Sequence, residues 1–189
     1  MDPRMETAIV IGVAVIAVLI IAWLLMRKQR TTKLRHHFGP EYDRAVQEVG
    51  TARADAMLLE REKRVEKFSI RGLAPDERER FITDWRAVQS RFVDDPEGAV
   101  SAADLLVDKV MQARGYPMSD FEQRAADISV GHPHVVANYR AAHQIALRHR
   151  ERQATTEDLR QAMIYYRSLF DDLLEAPTAT PVTHKREVA

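Results

Sequence analysis

Histidine is the residue type in this sequence with the clearest capacity for chemistry, because imidazole can transfer a proton or bind a metal near neutral pH. Four of the seven histidines lie in one stretch of the chain, at positions 132, 134, 143 and 149. His132 and His134 flank Pro133, so their side chains are expected to point apart. His143 falls on an apolar helix face, where a hydrogen-bonded core histidine is the usual finding. The pattern therefore predicts neither a metal site nor an acid–base centre.

Paired carboxylates are the second chemical candidate, since a general acid and base must face each other across a cleft. Asp94 and Asp95 are adjacent in sequence, and so are Asp171 and Asp172, which does not give that arrangement. The sequence has no phosphate-binding glycine loop, nucleophile elbow or metalloprotease spacing. It also has no cysteine, which excludes disulfides and thiolate chemistry. We therefore predict a protein that is not an enzyme, with no catalytic residue, cofactor or metal ligand.

Aromatic residues recur at helical spacing and predict the core of a helical domain. One strongly apolar face is centred on Trp85 and Phe92, and such a face is usually buried. If the domain holds a ligand or presents a partner face, the candidate residues are Trp85, Tyr139, His143 and Tyr166. An apolar cavity enclosed by these four side chains would favour the ligand-binding alternative.

Charge is unevenly distributed along a chain whose formal net charge is zero. Five basic residues follow the N-terminal apolar segment within nine positions, and they are the candidate membrane-surface contacts: Arg27, Lys28, Arg30, Lys33 and Arg35. The stretch 41–175 holds 20 basic and 25 acidic residues and is therefore net acidic. Nucleic-acid-binding domains usually show a basic footprint, so we expect no nucleic-acid partner.

The segment from Ala8 to Met26 contains no charged residue and is rich in Ile, Val, Leu and Ala. As a helix its 19 residues would extend roughly 28 Å, about the thickness of a bilayer's hydrocarbon core. A cleaved signal peptide fits less well, because Arg27 follows where small cleavage-site residues belong. The basic residues after the segment outnumber Arg4 before it. The sequence thus predicts a single-pass inner-membrane protein with its N-terminus outside and its domain cytoplasmic.

The chain after this segment has the periodicity of helices and no strand alternation. Gly39 and Pro40 predict the start of one long helix that runs to about Phe68. Tyr42 and Ala45 begin an apolar stripe in that helix, which leaves a coiled-coil homo-oligomer open beside an ordinary amphipathic helix.

Further helix starts are predicted near Pro75, at Asp95, at the Ser119 capping-box pattern, at Pro133 and at Thr155, with Gly115 as a helix end. The predicted fold is all-α, with a transmembrane helix, a long juxtamembrane helix and a small antiparallel bundle. Its divisions are a flank at 1–7, the span at 8–26, a basic connector at 27–39, the bundle at 40–175 and a disordered tail at 176–189.

Four short strings carry a family resemblance, namely FGPEY at 38–42, RFVDDP at 91–96, RGYP at 114–117 and FEQRAAD at 121–127. Together they resemble short bacterial membrane-anchored helical proteins of unknown function. The resemblance would cover nearly the whole helical domain. It implies a bacterial source and brings no activity, substrate or site residue.

The leading functional prediction is a non-enzymatic interaction or scaffold module held at the cytoplasmic face of a membrane. Its expected partners are the lipid bilayer and a protein that it recruits there, since tethering raises the effective concentration of weak binders. The alternatives are a ligand-binding or enzymatic helical domain and a membrane-surface or envelope-stress component.

Overall fold

The computed structural model describes residues 3–151 and 153–175, with side-chain positions described at 12, 16–151 and 153–175. All regular structure in these residues is helical, which confirms the predicted all-α class. The eight helices are α1 (Pro3–Phe38), α2 (Pro40–Val49), α3 (Thr51–Val65), α4 (Pro75–Arg91), α5 (Pro96–Ala113), α6 (Phe121–Gly131), α7 (Val136–Arg150) and α8 (Thr156–Glu175).

The main apolar core lies between α4, α5, α7 and α8, with α6 at one end. α5 contributes the buried stripe that includes Val100, Val107 and Val110, and α8 contributes Leu169 and Phe170 among others. Trp85 on α4 is buried against this core, and its helix neighbours Phe81, Val88 and Phe92 pack on it partly exposed. The aromatic face predicted from the sequence is therefore a core face.

Helices α7 and α8 form an antiparallel pair with five residues between them. Arg148 near the end of α7 lies 3.7 Å from Asp158 near the start of α8. Asn138 near the start of α7 donates to the Ser168 hydroxyl, further along α8, at 3.2 Å. The two contacts fix the relative direction of the two helices. A short connection between helices is what makes antiparallel neighbours.

The N-terminal part folds around a second, smaller core of buried residues. Its members come from the end of α1, from α2 and from α3: Leu34, Phe38, Tyr42, Ala45, Ala54 and Leu58.

The long helix predicted over 40–68 is wrong, because Gly50 adopts φ 78° and ψ 159° and separates α2 from α3. That backbone region is essentially restricted to glycine. The turn lets the two short helices pack together, and it exposes Val49 and Ala56, which follow Tyr42 at the seven-residue spacing of the predicted stripe.

The basic connector predicted over 27–39 is helical up to Phe38. No proline or glycine interrupts it, and α1 ends only at Gly39, whose φ is 49°. α1 begins at Pro3, inside the predicted flank. The tail predicted to be disordered, 176–189, lies outside the described residues.

The transmembrane prediction is wrong: within the described part of the chain, no helix is both long and apolar enough to cross a membrane. The predicted span begins at Ala8, and its side chains at 8–11 and 13–15 lie outside the described set. An 18-residue stretch that starts at Ile16 ends at Lys33 and already includes Arg27, Lys28 and Arg30. Charged side chains thus interrupt the described apolar run too early. This finding overturns the predicted single-pass inner-membrane localisation with an outside N-terminus and a cytoplasmic domain.

Helix ends follow local side-chain chemistry in most places. The Asp95 side chain accepts a hydrogen bond from the Gly98 N–H at 2.9 Å, which confirms the predicted cap. Thr155 and Asp158 cap α8 reciprocally, at 2.8 and 3.2 Å. At α6 the cap is Asp120, which accepts from the Gln123 N–H at 3.0 Å, and not Ser119. Helix α7 begins at Val136, three residues later than predicted.

Candidate functional site

Before its buried C-terminal end, α1 carries an exposed arm that is apolar and then basic. We define the arm as residues 16–33, the stretch of α1 with described side chains that precedes the buried Leu34. Between Ile16 and Met26 it carries nine large apolar side chains, each at least 50% exposed. The other exposed large apolar side chains are scattered singly over the molecule, at Val49, Val93, Leu105, Met118, Leu147 and Ile164. The arm is therefore the one concentrated apolar surface among the described residues.

The second half of the arm is basic. The side chains of Arg27, Lys28, Arg30 and Lys33, four of the five predicted membrane-surface residues, are exposed. The guanidinium of Arg27 lies over the Trp23 ring, 5.6 Å from its centroid, and so joins the two halves. The ion pairs between described residues include none of these four cations. Arg35, the fifth predicted contact, lies beyond the arm and forms an exposed 3.4 Å pair with Asp43.

The arm is fixed to the N-terminal core at one end. Thr31 donates from its hydroxyl to Asp55 on α3 at 2.5 Å, and Tyr42 on α2 donates to the same carboxylate at 3.0 Å. Asp55 therefore joins three helices. Together with the buried Leu34 and Phe38, this contact makes the basic end of the arm continuous with the N-terminal core.

Three of the four predicted ligand-face residues, Trp85, Tyr139 and Tyr166, are buried in the core, and His143 lies half-buried beside them. The four divide into two groups. Trp85 stacks on Phe170 with the ring centroids 4.7 Å apart. Tyr139 and Tyr166 are fully buried, with centroids 6.4 Å apart. His143 is half-buried and stacks on Phe121 at 3.5 Å. The buried Nδ1 of His143 has no hydrogen-bond partner among the described residues.

Two carboxylates and an arginine, which the sequence analysis did not identify, surround Tyr139, Tyr166 and His143. Asp104 and Asp108 lie one turn apart on α5, and Arg124 on α6 places its Nε 3.3 Å from the Asp108 carboxylate. We call Asp104, Asp108, Arg124, Tyr139, His143 and Tyr166 the polar core cluster. Their sequence signal was two acidic residues at i, i+4 spacing beside the apolar stripe of α5, but nothing in the sequence connects them to α6, α7 or α8.

Burial favours the neutral forms of Asp108, His143 and Tyr166 within the polar core cluster. Burial raises the pKa of Asp108, although the positive charge of Arg124 opposes the shift. Burial also lowers the pKa of His143. The hydroxyl of Tyr166 adjoins Asp104, and burial together with that carboxylate raises the pKa of Tyr166. The cluster contains acid and base groups, but its two tyrosines are 0% exposed, so a substrate has no access to their hydroxyls.

His132 and His134 converge on one carboxylate, contrary to the expectation that they point apart. His132 Nδ1 contacts Asp172 Oδ2, and His134 Nε2 lies 3.0 Å from Asp172 Oδ1. Residues 132–135 form a turn between α6 and α7, which aims both rings at α8. Burial lowers the pKa of His132, and the hydrogen bond to Asp172 offsets only part of that effect.

An open groove runs along the α7–α8 pair, with a volume of about 480 Å³. Its lining includes Ile145, Arg148, Asp158 and Tyr165. Arg148 and Asp158 pair with each other across the groove at 3.7 Å. The groove therefore offers a ligand no unpaired charge at this point.

Neither a group of metal ligands among the described residues nor a similar known protein assigns a function to this site. In the described ranges, no three His, Cys, Asp or Glu side chains are grouped so that they could hold a metal ion. No family model matches the sequence, and neither the curated proteins nor the solved structures include a match.

Proposed function

We propose that this protein is a non-enzymatic interaction module that binds a protein partner through the arm at residues 16–33. The observation that carries the proposal is the row of nine large apolar side chains of the arm, each at least half exposed. A contiguous exposed apolar surface marks an interaction site, because leaving it in water is unfavourable. A helix that is apolar on all sides is normally covered by other structure.

The basic half of the arm restricts the kind of partner. Arg27, Lys28, Arg30 and Lys33 are exposed and directly follow the apolar half. A matching surface is an apolar groove with acidic side chains at one end. A helix that lays its apolar residues in a groove is a recurring recognition mode, and charge complementarity at the rim speeds association and sets orientation.

The bundle supports the non-enzymatic part of the proposal. Its acid and base groups are spread between a closed core cluster and an ion-paired groove, and Tyr139 and Tyr166 are inaccessible. A general acid or base must lie within hydrogen-bonding reach of the proton it transfers. A ligand-binding or enzymatic role is the second candidate, and the observation that favours it is the polar core cluster itself.

Site-specific photo-crosslinking tests the proposal in the full chain. A benzophenone amino acid replaces Leu24 in the arm or, as the matched control, Ile164, a similarly exposed apolar residue on α8. The expected result is a crosslinked protein at position 24 and none at position 164. Charge reversal by Lys28→Glu, Arg30→Glu and Lys33→Glu should abolish the crosslink, because it removes the complementary charges.

Three outcomes would contradict the proposal. Equal crosslinking at both positions would show non-specific adhesion. Crosslinked products that contain only copies of this chain would show that the arm does not bind a different protein. Turnover of a small molecule by the purified protein, lost in His143→Ala, would replace the interaction role with the enzymatic one.

A further inference from the structure

The two apolar cores of this molecule are separated by charged side chains. The N-terminal unit, which we define as residues 34–65, has its own buried core. Of the bundle residues, only Val130 on α6 packs against that core as a partly buried apolar side chain. The main core lies wholly in the rest of the chain. Apolar contact therefore contributes little to holding the N-terminal unit on the bundle.

Glu41 on α2 is the centre of the contact between the two parts. It is 3% exposed and accepts hydrogen bonds from Arg61 on α3 at 2.8 Å and from Arg44 at 3.0 and 3.1 Å. From the bundle, Arg140 on α7 approaches the same carboxylate at 3.4 Å. Arg61 also lies 3.4 Å from the Ser129 hydroxyl on α6. One buried carboxylate thus binds arginines from both parts.

A second ion pair spans the same boundary. Arg64 on α3 donates from Nε and Nη2 to Asp127 on α6, at 2.7 and 2.5 Å. Asp127 is 2% exposed and accepts a further bond from Gln123 at 2.9 Å. His37 at the end of α1 contacts the carbonyl of Val130 at 2.9 Å. We call Glu41, Arg44, Arg61, Arg64, Asp127 and Arg140 the ionic layer.

An ionic layer holds its two sides in one register, yet it stabilises their contact much less than an apolar core does. The charges lose their hydration on burial, and their attraction roughly repays that loss. Interfaces inside a chain that are small and polar behave like transient contacts between proteins. Burial by itself would raise the pKa of Glu41, but the bonds from Arg44 and Arg61 and the charge of Arg140 outweigh it and lower the pKa.

The chain between the two parts allows them to separate without unfolding either one. α3 ends at Val65, and the chain is attached to the bundle again at Arg71, whose N–H donates to the Arg114 carbonyl at 2.9 Å. The buried Arg114 donates back to the Arg71 carbonyl at 3.2 Å. Ile70 and Leu73 pack on the main core. The N–H groups of residues 66–68 still bond to carbonyls of α3, and Ser69 lies beside Gly115 of the bundle. The link about which a rigid-body motion can occur is therefore the chain at Phe68 and Ser69.

We propose that the N-terminal unit is a releasable clamp, which undocks from the bundle at the ionic layer as a rigid body and carries the arm with it. Undocking changes the direction of the arm relative to the bundle, because Thr31, Leu34 and Phe38 fix the arm to the N-terminal unit. The use of this motion to present the arm rests on the proposed function. The undocking itself does not.

Distance measurements between two spin labels test the clamp in the full chain. The sequence has no cysteine, so introduced cysteines are labelled without background. One pair, Arg53→Cys and Lys109→Cys, reports the distance between α3 and α5 across the ionic layer. The control pair, Arg86→Cys and Lys109→Cys, reports a distance within the bundle. All three positions are exposed helix residues.

The layer is weakened by Glu41→Gln with Asp127→Asn, which keep the side-chain shapes and remove the charges. The matched control is Glu79→Gln with Asp84→Asn on the exposed side of α4. We expect the layer variant to broaden the 53–109 distance distribution and shift it to longer values, with the 86–109 distribution unchanged. The control variant should alter neither distribution.

An unchanged 53–109 distribution in a folded layer variant would overturn the clamp. If the layer variant fails to fold, hydrogen exchange of the unaltered protein decides. The clamp requires amides of residues 34–65 to exchange as one group with protection at least about tenfold lower than that of α5, α7 and α8. Equal protection in the two parts would overturn it. These results do not depend on the photo-crosslinking of the arm, so the clamp and the proposed function can fail separately.

Discussion

Trp85 is a core side chain whose removal should strongly destabilise the bundle. Its indole is 5% exposed and stacks on Phe170. Replacing a buried aromatic residue by alanine leaves a cavity and removes apolar burial, at about 3–5 kcal/mol. We expect Trp85→Ala to lower the free energy of unfolding by that amount in urea denaturation. Arg86→Ala, on the exposed side of the same helix, should change it by less than about 0.5 kcal/mol. Equal effects would mean that Trp85 is not part of the core in solution.

His132 should make the fold less stable in mild acid. Burial lowers its pKa below the ordinary 6.5 in the folded protein. The unfolded chain then binds a proton at a pH where the folded chain does not, so the free energy of unfolding falls as the pH drops below about 6.5. His143 acts in the same direction, because burial lowers its pKa as well.

The measurement is urea denaturation at about pH 7.5 and about pH 5, together with NMR titration of the His132 ring. His132→Gln should reduce the difference in stability between the two pH values, and His36→Gln, at an exposed position, should retain it. A His132 ring that titrates above 6.5 would show that Asp172 dominates over burial.

At the scale of the elements, two glycines with positive φ should respond differently to alanine. Gly115 ends α5 with φ 92°, and an added Cβ would lie 2.5 Å from the Ser69 carbonyl oxygen. Gly50 has φ 78°, and no atom lies within 4 Å of an added Cβ. Gly50→Ala should cost about 1–3 kcal/mol from backbone strain alone, and Gly115→Ala should cost more because the backbone must also shift. Thermal or urea unfolding of both variants checks the order, and a reversed order would contradict it.

The helix ends show which parts of the fold the sequence can predict. Asp95 and Thr155 cap helices through bonds to residues three positions away, so their local pattern is sufficient. Gly50 was missed because an isolated glycine inside a helical pattern is often tolerated. The convergence of His132 and His134 on Asp172 was missed because the partner lies about 40 residues away on α8. Local chemistry predicted the elements, while the contacts between them needed the structure.

At the scale of the whole molecule, the apolar half of the arm should be dispensable for folding. Its apolar side chains from Ile16 to Met26 are exposed, and the N-terminal core begins only at Leu34. Deletion of residues 1–26 should therefore change the free energy of unfolding by less than about 0.5 kcal/mol. It should also reduce aggregation, because an exposed apolar surface is removed. Urea denaturation and light scattering check the two outcomes, and a large loss of stability would show that the arm packs on the bundle.

The candidate site could be predicted from the sequence only in part. The basic residues from Arg27 to Arg35 are exposed, and their contact with a membrane surface stays a prediction. The aromatic candidates Trp85, Tyr139 and Tyr166 are core residues, because their apolar area stabilises the fold more when it is buried than when it is left for a ligand. The ionic layer could not be predicted, since Glu41 and Arg140 meet only after two separate parts have folded and docked.

The antiparallel α7–α8 pair has a consequence for the order of folding. Arg148 and Asp158 are close in sequence, and Asn138 and Ser168 are brought together by extending the same hairpin. Contacts between near neighbours close small loops and lose little chain entropy, so they form early. The ionic layer joins residues as far apart as Glu41 and Arg140, and its attraction is strong only after water has been excluded. The C-terminal hairpin is therefore the expected folding nucleus, and docking of the N-terminal unit is the last step to be completed.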